Sequence, residues 1–227
     1  MVPPAVEVRD LVKQYNGRSP VLDGITFTIE KSAFVILFGK SGCGKTTLLN
    51  ILGGLDRPTT GDVMIEGDSL LGLSEDRLAS LRLEKVGFVF QDYNLLMDLT
   101  VRENVALPLK FSKKAEGRTV DDMLRRFAIS EIADESARRI SGGESQRVAI
   151  ARAMMNGPRL ILADEPTGNL DSENTRKVID AFRLVRQEFG TTIILATHDE
   201  SLSEYATSRI GLKDGKATID TGPKHSV

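Results

Sequence analysis

The 227-residue sequence contains only one cysteine, Cys43, and no tryptophan. A single cysteine cannot form an internal disulfide, so we interpret Cys43 as a small residue tolerated in its loop. No apolar run approaches the roughly 20 residues that a membrane-spanning helix needs. The first ten residues also lack a basic region followed by an apolar core, the pattern of a secretory signal. These absences predict a protein that resides in the cytoplasm.

The sequence also lacks an excess of positive charge. Its formal net charge is −2 and its pI is about 5.8, whereas a domain that binds nucleic acid along a broad surface is usually dominated by a basic patch. We therefore expect no nucleic-acid partner. Hydrophobic residues make up 41% and charged residues 27% of the chain, which is ordinary for a globular protein with a sizeable core.

A phosphate-binding loop follows the apolar run from Ala33 to Phe38. Gly39 to Thr46 fits the pattern G-x-x-x-x-G-K-[ST], with a predicted strand before it and a predicted helix after it. The glycines let backbone N–H groups turn around a phosphate, and the helix N-terminus adds its positive dipole end. The sequence therefore predicts a nucleoside triphosphate bound with Mg²⁺. The expected contacts come from Gly39, Lys40, Ser41, Gly42, Cys43, Gly44, Lys45, Thr46 and Thr47.

Two residues of this loop have distinct expected roles. Lys45 should place a full positive charge against the β and γ phosphates, an attraction of roughly 4 kcal/mol at about 4 Å and an effective dielectric near 20. Thr46 should offer its hydroxyl oxygen to Mg²⁺, a hard cation that prefers oxygen ligands.

The periodicity of the apolar residues predicts an α/β fold with a mostly parallel sheet. Alternation between positions 6 and 29 indicates antiparallel strands joined near Asn16-Gly17, and positions 63–65 indicate another short strand. Compact apolar runs at 86–90, 159–163 and 191–197 alternate with helical patterns, including 70–83 and 178–189, which is typical of parallel strands. Positions 210–219 resemble a hairpin about Asp214-Gly215.

The segment from Leu95 to Ile140 lacks an apolar strand run, and its apolar residues recur at helical intervals. We interpret it as an inserted helical subdomain. The prediction is one domain over residues 1–227, with a P-loop nucleotide-hydrolase core formed by residues 1–93 and 147–227, an antiparallel β subdomain within that core, and a helical subdomain at residues 94–146.

Four apolar runs end in polar residues, and in a parallel sheet ligands gather at the carboxyl ends of the strands. Asp164 is expected to hold Mg²⁺, and Glu165 to orient or deprotonate an attacking water. Gln91 would coordinate the ion or that water, while His198 would donate to charge developing on the γ-phosphate. A core histidine is the alternative for His198, but its position at a fourth strand end favours the site.

A predicted helix begins at Ser141-Gly142-Gly143-Glu144. Ser141 could be a plain N-cap, but two glycines are costly in a first turn and useful where the backbone approaches a ligand. We refer to residues 141–143 as the serine–glycine cap. Tyr15 is either a packing residue or a platform on which a planar ring stacks, and the sequence alone does not decide between them.

In their order along the chain, these residues resemble the conserved motifs of ATP-binding cassette (ABC) ATPases. The phosphate loop resembles Walker A, Gln91 the Q-loop, residues 141–144 the signature, residues 160–165 Walker B, Gly168 to Asp171 the D-loop, and His198 the switch histidine. The resemblance implies that Tyr15 stacks on adenine and that Ser141, Gly142, Gly143, Glu144 and Asp171 contribute to nucleotide binding. The signature departs from the commonest form, with Ile140 for leucine and Glu144 for glutamine.

The resemblance implies a head-to-tail dimer with a second ABC ATPase subunit, in which the serine–glycine cap of one copy closes on the γ-phosphate held by Lys45 of the other. The motifs around residues 92–105 and 163–171 resemble the branch for lipoprotein release, macrolide export and cell-division signalling. That branch implies ATP hydrolysis that drives an integral membrane permease from the cytoplasmic face of the inner membrane. The alternative is a soluble ABC ATPase in translation or DNA repair.

Overall fold

The computed structural model describes residues 2–17, 19–112 and 118–220, and these residues form two sheets. The smaller sheet has four antiparallel strands in the order β2-β1-β4-β5. Alternate residues of β2 are buried from Ile25 to Ile29, as the period-two pattern predicts. Its strands are β1 (Val6–Lys13), β2 (Leu22–Ile29), β4 (Thr60–Ile65) and β5 (Asp68–Ser69).

The larger sheet has six strands in the order β10-β9-β3-β8-β7-β6, and all adjacent pairs except β10–β9 are parallel. The predicted mostly parallel sheet is therefore confirmed, as is the hairpin about Asp214-Gly215. The strands are β3 (Phe34–Phe38), β6 (Val86–Phe90), β7 (Leu160–Asp164), β8 (Thr192–Thr197), β9 (Ser208–Lys213) and β10 (Lys216–Asp220).

Both faces of the larger sheet are covered. Phe34 and Ile36 of β3 belong to one buried cluster together with α3, α4, α5 and α6 side chains, whereas Val35 and Leu37 belong to a second cluster with α1, α2 and the small sheet. The helices are α1 (Lys45–Leu52), α2 (Glu75–Lys85), α3 (Val101–Ala106), α4 (Val120–Arg126), α5 (Gly142–Met154) and α6 (Ser172–Phe189). Burial on both faces explains why β3 is a continuous apolar run.

Several element boundaries differ from the sequence prediction. Helical spacing was expected from residue 70, but α2 begins only at Glu75, because Gly72 has a φ of 72° and the Ser74 side chain caps the helix. α6 begins at Ser172, six residues before the predicted start, because Asp171 caps it.

The inserted segment is less helical than its periodicity suggests. Only α3, α4 and a short 3-10 helix (Leu107–Lys110) form among its described residues up to position 140, and residues 113–117 lie outside the described part of the chain. Residues 127–140 form turns, with an isolated bridge between Thr100 and Ser136. The predicted subdomain boundary after residue 146 falls within α5.

In the described ranges, no helix is both long and apolar enough to cross a membrane. The longest helix, α6, has 18 residues and carries many charged side chains.

The loop before α3 is held by one buried amide. Asn104 is fully buried, and its Oδ1 accepts from the Leu96 N–H at 2.8 Å while its Nδ2 donates to the carbonyls of Leu96 and Thr100, both at 3.0 Å. A single side chain therefore satisfies three backbone groups of this loop.

We expect Asn104→Ala to lower the free energy of unfolding by about 2–4 kcal/mol, because it removes three hydrogen bonds and leaves the Leu96 N–H without its acceptor. Urea denaturation would measure the change. Asn156→Ala is the matched control, since the Asn156 amide donates only one such bond, to the Leu83 carbonyl at 3.1 Å, and should cost less. Equal losses in the two variants would contradict this account of the loop.

Candidate active site

Three of the predicted strand ends open into one cleft of about 300 Å³. Because β3, β8, β7 and β6 are successive parallel neighbours, their carboxyl ends lie along the same edge of the sheet. The cleft is lined by Val21, Ser41, Gly42, Gly44, Lys45, Thr46, Thr47, Gln91, Asp164 and Glu165. The sheet thus brings the phosphate loop, Gln91 and both carboxylates together.

The phosphate loop has the backbone that its glycines permit. Gly42 and Gly44 have φ angles of 79° and 105°, a region that side-chain-bearing residues rarely adopt. Gly44 precedes α1 without any side-chain cap, and the first turn of α1 carries no acidic residue. The N-terminus of α1 therefore presents backbone N–H groups and a positive dipole end to the cleft, which suits an anion.

Lys45 is the cation at the floor of this cleft. Only 7% of it is exposed, and its Nζ donates to the Gly39 carbonyl at 2.8 Å. The same Nζ lies 3.4 Å from Oε1 of Glu165. A buried ammonium is stabilised by such partners. Lys45 therefore connects the phosphate loop to Glu165, the residue that follows β7.

Thr46 and Asp164 form an oxygen pair suited to a hard cation. The Thr46 hydroxyl donates to Oδ2 of Asp164 at 2.7 Å, while Oδ1 of Asp164 is buried without a hydrogen-bond partner among the described residues. Burial raises the pKa of Asp164, and the Glu165 carboxylate adds to the effect, although Thr46 and Lys45 oppose it. An unpaired buried carboxylate oxygen beside a hydroxyl fits Mg²⁺, which takes oxygen ligands.

Glu165 and His198 are in direct contact. Nδ1 of His198 lies 2.9 Å from Oε2 of Glu165, and the His198 side chain is 69% exposed. The exposure rules out the core-histidine alternative. Glu165 has a φ of 46° and its N–H donates to the Ala196 carbonyl of β8 at 2.9 Å. This left-handed backbone is uncommon for a residue with a side chain and turns Glu165 away from the line of β7.

Gln91 lies at the cleft but is bonded to the segment after β7. Its Nε2 donates to Oδ1 of Asn169 at 3.2 Å, which places the amide beside the predicted D-loop. A Cβ on Gly168 would lie 3.2 Å from the same Nε2. The strand end of β6 and the loop after β7 are therefore packed together at this edge.

The serine–glycine cap does not line the cleft of its own chain. Ser141 is the N-cap of α5. The two glycines are packed closely against other parts of the chain. A Cβ added to Gly142 would lie 2.7 Å from the Tyr93 hydroxyl, and a Cβ added to Gly143 would collide with Oδ1 of Asn174. Asp171 caps α6 by accepting from the Asn174 N–H at 2.8 Å. Glu144 is bonded to Ser141. These five predicted site residues lie together, apart from the phosphate loop.

Tyr15 is on the surface, 41% exposed, and near the start of α1. Its hydroxyl donates to Oδ2 of Asp56 at 2.5 Å, and Nζ of Lys13 lies 4.5 Å from its ring centroid. Thr47 is another hydrogen-bonding neighbour. The exposed ring beside the phosphate loop is compatible with a stacking platform, and its contacts with Asp56 and Lys13 are compatible with a packing role.

Comparison with known proteins assigns the fold and the family. A family model described as ABC transporter matches residues 22–168. The chain is 41% identical over 226 residues to the lipoprotein-releasing system ATP-binding protein LolD of Blochmanniella floridana, covering 97% of this chain and 96% of that protein. The chain belongs to the ABC transporter family.

Two further matches extend the comparison. The macrolide export ATP-binding/permease protein MacB of Syntrophobacter fumaroxidans is 43% identical over 225 residues, which are 96% of this cassette but 32% of that protein. This cassette thus spans about a third of the length of that macrolide exporter. The ATP-binding cassette MJ0796, solved as a dimer in a post-hydrolysis state bound to ADP and Pi, superposes with a TM-score of 0.85 and 36% identity, covering 95% of this chain and 98% of that one.

The structure also reveals site-supporting residues that the sequence interpretation missed. Arg152 of α5 donates to the carbonyls of Asn94 and Tyr93, at 2.6 and 2.9 Å. Both residues have left-handed φ angles, 48° and 60°, in the loop after Gln91. Burial lowers the pKa of Arg152. An arginine in the alanine-rich stretch of α5 was the available signal, because a cation on a buried face usually has a specific partner.

We expect Arg152→Lys to loosen the loop that follows Gln91, because a lysine ammonium cannot reproduce the two-pronged geometry of the guanidinium. Amide hydrogen exchange at residues 92–97 should accelerate at least tenfold, while exchange in β3, β7 and β8 stays unchanged. Arg186→Lys is the control, since Arg186 donates to the Ser32 carbonyl instead and should leave residues 92–97 unaffected. Uniform acceleration across the sheet would contradict a local role.

We expect Asp164→Asn to stabilise the nucleotide-free cassette at neutral pH by roughly 0.5–2 kcal/mol, because the substitution removes a partly buried negative charge that is retained for function at a cost in stability. The folded-state pKa of Asp164 is raised above its ordinary value of 3.8. Ionisation of this carboxylate therefore lowers the free energy of unfolding as the pH rises from the unfolded-state pKa through the folded-state pKa. The gain measured by urea denaturation should therefore shrink toward acid pH.

Asp56→Asn supplies a control of opposite sign. Burial acts against the Asp56 charge, but hydrogen bonds from Lys13 and Tyr15 outweigh it and lower the pKa. This variant should lose stability at neutral pH, with the loss disappearing toward acid pH. A destabilised Asp164→Asn protein at pH 7 would refute the assignment of an unfavourable buried charge.

Proposed function

We propose that the chain is the ATP-binding and ATP-hydrolysing subunit of an ABC transporter. The observation that carries the proposal is the convergence of Lys45, Thr46, Asp164 and Glu165 on one cleft beneath the uncapped N-terminus of α1. A triphosphate in that cleft would meet backbone N–H groups, a buried ammonium and a hydroxyl–carboxylate pair. These are the groups that phosphoryl transfer requires for positioning and charge neutralisation.

Each side chain has a proposed role. Lys45 binds the β and γ phosphates, exchanging its contact with the Gly39 carbonyl for phosphate oxygens. Glu165 orients the attacking water and accepts its proton, because its carboxylate lies at the cleft next to Lys45 and His198. His198 holds Glu165 in place and donates to the γ-phosphate as charge develops there. Gln91, which also lines the cleft, coordinates the metal ion or the attacking water through its amide oxygen.

Mg²⁺ is the proposed metal cofactor, held by Thr46 and Asp164 with Gln91 as a further ligand. When bound, it supplies positive charge that neutralises the phosphate oxygens. The buried, unpartnered Oδ1 of Asp164 supports this assignment. Tyr15 is proposed to stack on adenine, with its exposed face available beside Thr47.

A second copy completes the proposed site. The serine–glycine cap and Asp171 do not line the cleft of their own chain, so they can act on a triphosphate only in another protomer. MJ0796, which shares the fold, has been solved as a dimer bound to ADP and Pi. We propose a head-to-tail homodimer in which the cap of each protomer closes on the γ-phosphate held by Lys45 of the other.

The proposed partner beyond the second cassette is an integral membrane permease. MacB is named as an ATP-binding/permease protein, and LolD as the ATP-binding protein of a lipoprotein-releasing system. The proposed location is therefore the cytoplasmic face of the inner membrane, as a peripheral subunit. Residues 94–146 are proposed as the helical subdomain. The alternative, a soluble cassette in translation or DNA repair, gains no support from these relatives.

The function is tested with Glu165→Gln, which preserves the size of the side chain but removes the base. With Mg-ATP, the variant should bind nucleotide, lose at least a hundredfold in hydrolysis rate and accumulate as a dimer in analytical ultracentrifugation. Lys45→Ala in the same background is the control and should remain monomeric, because the cleft loses its buried cation. A Glu165→Gln protein that binds Mg-ATP and stays monomeric would overturn the two-copy arrangement.

A further inference from the structure

The carboxylate of Glu144 engages both polar hydrogens of Ser141. Oε2 of Glu144 accepts from the Ser141 N–H at 2.8 Å and from the Ser141 hydroxyl at 2.6 Å. In return, the Ser141 Oγ accepts weakly from the Glu144 N–H at 3.4 Å. This reciprocal arrangement is a capping box at the start of α5.

The hydroxyl of serine has only one proton to donate. At 2.6 Å from an ionised carboxylate, that proton is held in a charge-assisted hydrogen bond, which is about twice as strong as a neutral one. Hydrogen bonds from Ser141 lower the pKa of Glu144, and the positive charges of Arg147 on α5 and Lys177 on α6 add to this effect. Glu144 is therefore a stable anion at neutral pH.

The backbone donors of the cap remain available. The N–H groups of Gly142 and Gly143 have no hydrogen-bond acceptor among the described residues. An incoming phosphate would thus find two free N–H groups but a serine oxygen with its proton turned toward Glu144. Before the hydroxyl could donate to phosphate, it would have to leave the carboxylate.

We propose that Glu144 is an internal competitor for the Ser141 hydroxyl and thereby restrains closure of the serine–glycine cap on the triphosphate of the second copy. The proposal rests on the two-copy arrangement of the proposed function. Glu144 is a positioning residue in this account, because it acts on the nucleotide through Ser141. The restraint has two parts: the hydroxyl must exchange one anionic acceptor for another, and a negative charge lies beside the approaching phosphates.

The chain contains a matched control. α3 begins with a second capping box, in which Oε2 of Glu103 accepts from the Thr100 N–H at 2.8 Å and from the Thr100 hydroxyl at 3.1 Å. Glu103→Gln therefore makes the same chemical change in the same local structure, outside the proposed nucleotide site. Any general effect of weakening a capping box on stability appears in both variants.

The experiment measures the Mg-ATP concentration at half-maximal dimerisation in the Glu165→Gln background, by analytical ultracentrifugation at fixed protein concentration. Adding Glu144→Gln should lower that concentration roughly five- to tenfold, because a neutral amide accepts the hydroxyl more weakly and carries no charge. Adding Glu103→Gln should leave it unchanged. An unchanged or higher concentration with Glu144→Gln overturns the proposal.

Ser141→Ala tests whether the effect passes through the hydroxyl. In a Ser141→Ala, Glu165→Gln background, Glu144→Gln should lower the half-maximal concentration by a clearly smaller factor, about two- to threefold, because no serine proton remains to be released and only the charge beside the phosphates is removed. A gain as large as in the serine-containing background would overturn the competition for the hydroxyl. If the Glu165→Gln parent itself stays monomeric with Mg-ATP bound, the proposed function fails first, and this inference fails with it.

Discussion

The central strands β3, β7 and β8 of the larger sheet are buried on both faces, and this constraint determines where polar chemistry can occur. Phe34 and Ile36 face one helical layer, while Val35 and Leu37 face the other layer. A charged side chain in the middle of these strands would be buried without a partner, at a cost of several kcal/mol. In these central strands, charged and polar groups therefore appear at the strand ends. Parallel pairing then brings those ends to one edge of the sheet.

The cleft at that edge concentrates groups that are unfavourable for folding. Asp164 has a partly buried carboxylate with an unpaired oxygen, and Glu165 beside it adopts a left-handed backbone conformation. Backbone strain of this kind typically costs 1–3 kcal/mol. Lys45 offsets part of the negative charge from below. The cleft is thus poised for additional positive charge and phosphate oxygens, and the remaining core supplies the stability that this arrangement lacks.

The sequence predicts structure well where a residue pattern is compatible with only one local conformation. The phosphate loop, the apolar runs and the polar residues that follow them could be predicted, because burial on two faces and sharp strand ends leave clear patterns. The end of β6 at Phe90, directly before Gln91, is one example. Periodicity failed in residues 127–140, where apolar side chains at helical intervals are buried by turns instead of helices. Short segments can bury the same side chains in either conformation.

Contacts between distant segments were also beyond prediction from the sequence. The bonds from Arg152 to the Tyr93 and Asn94 carbonyls join positions that are 59 and 58 residues apart, and the sequence contains no signal for such distant pairs. The same holds for the packing of Gly143 against Asn174. Such contacts depend on how the helices pack on the sheet, and that packing is determined by the side chains of the entire core. The double glycine could be recognised as unusual, but its neighbours could not be named.

These contacts make α5 a rigid connection between two functional segments. Its first turn carries the serine–glycine cap, and Arg152 near its other end holds the loop that follows Gln91. The two points are eleven residues apart, about 16 Å along the helix axis. Because α5 is packed against α3, α6 and β6, a displacement of the cap cannot be absorbed within the helix and must shift the Gln91 loop or tilt α5 as a unit. In the proposed two-copy arrangement, closure of the cap on the partner's phosphate would therefore displace Gln91 in the cleft of the protomer that contributes the cap. Two sites related in this way influence one another through ordinary helix packing, and no flexible relay between them is needed.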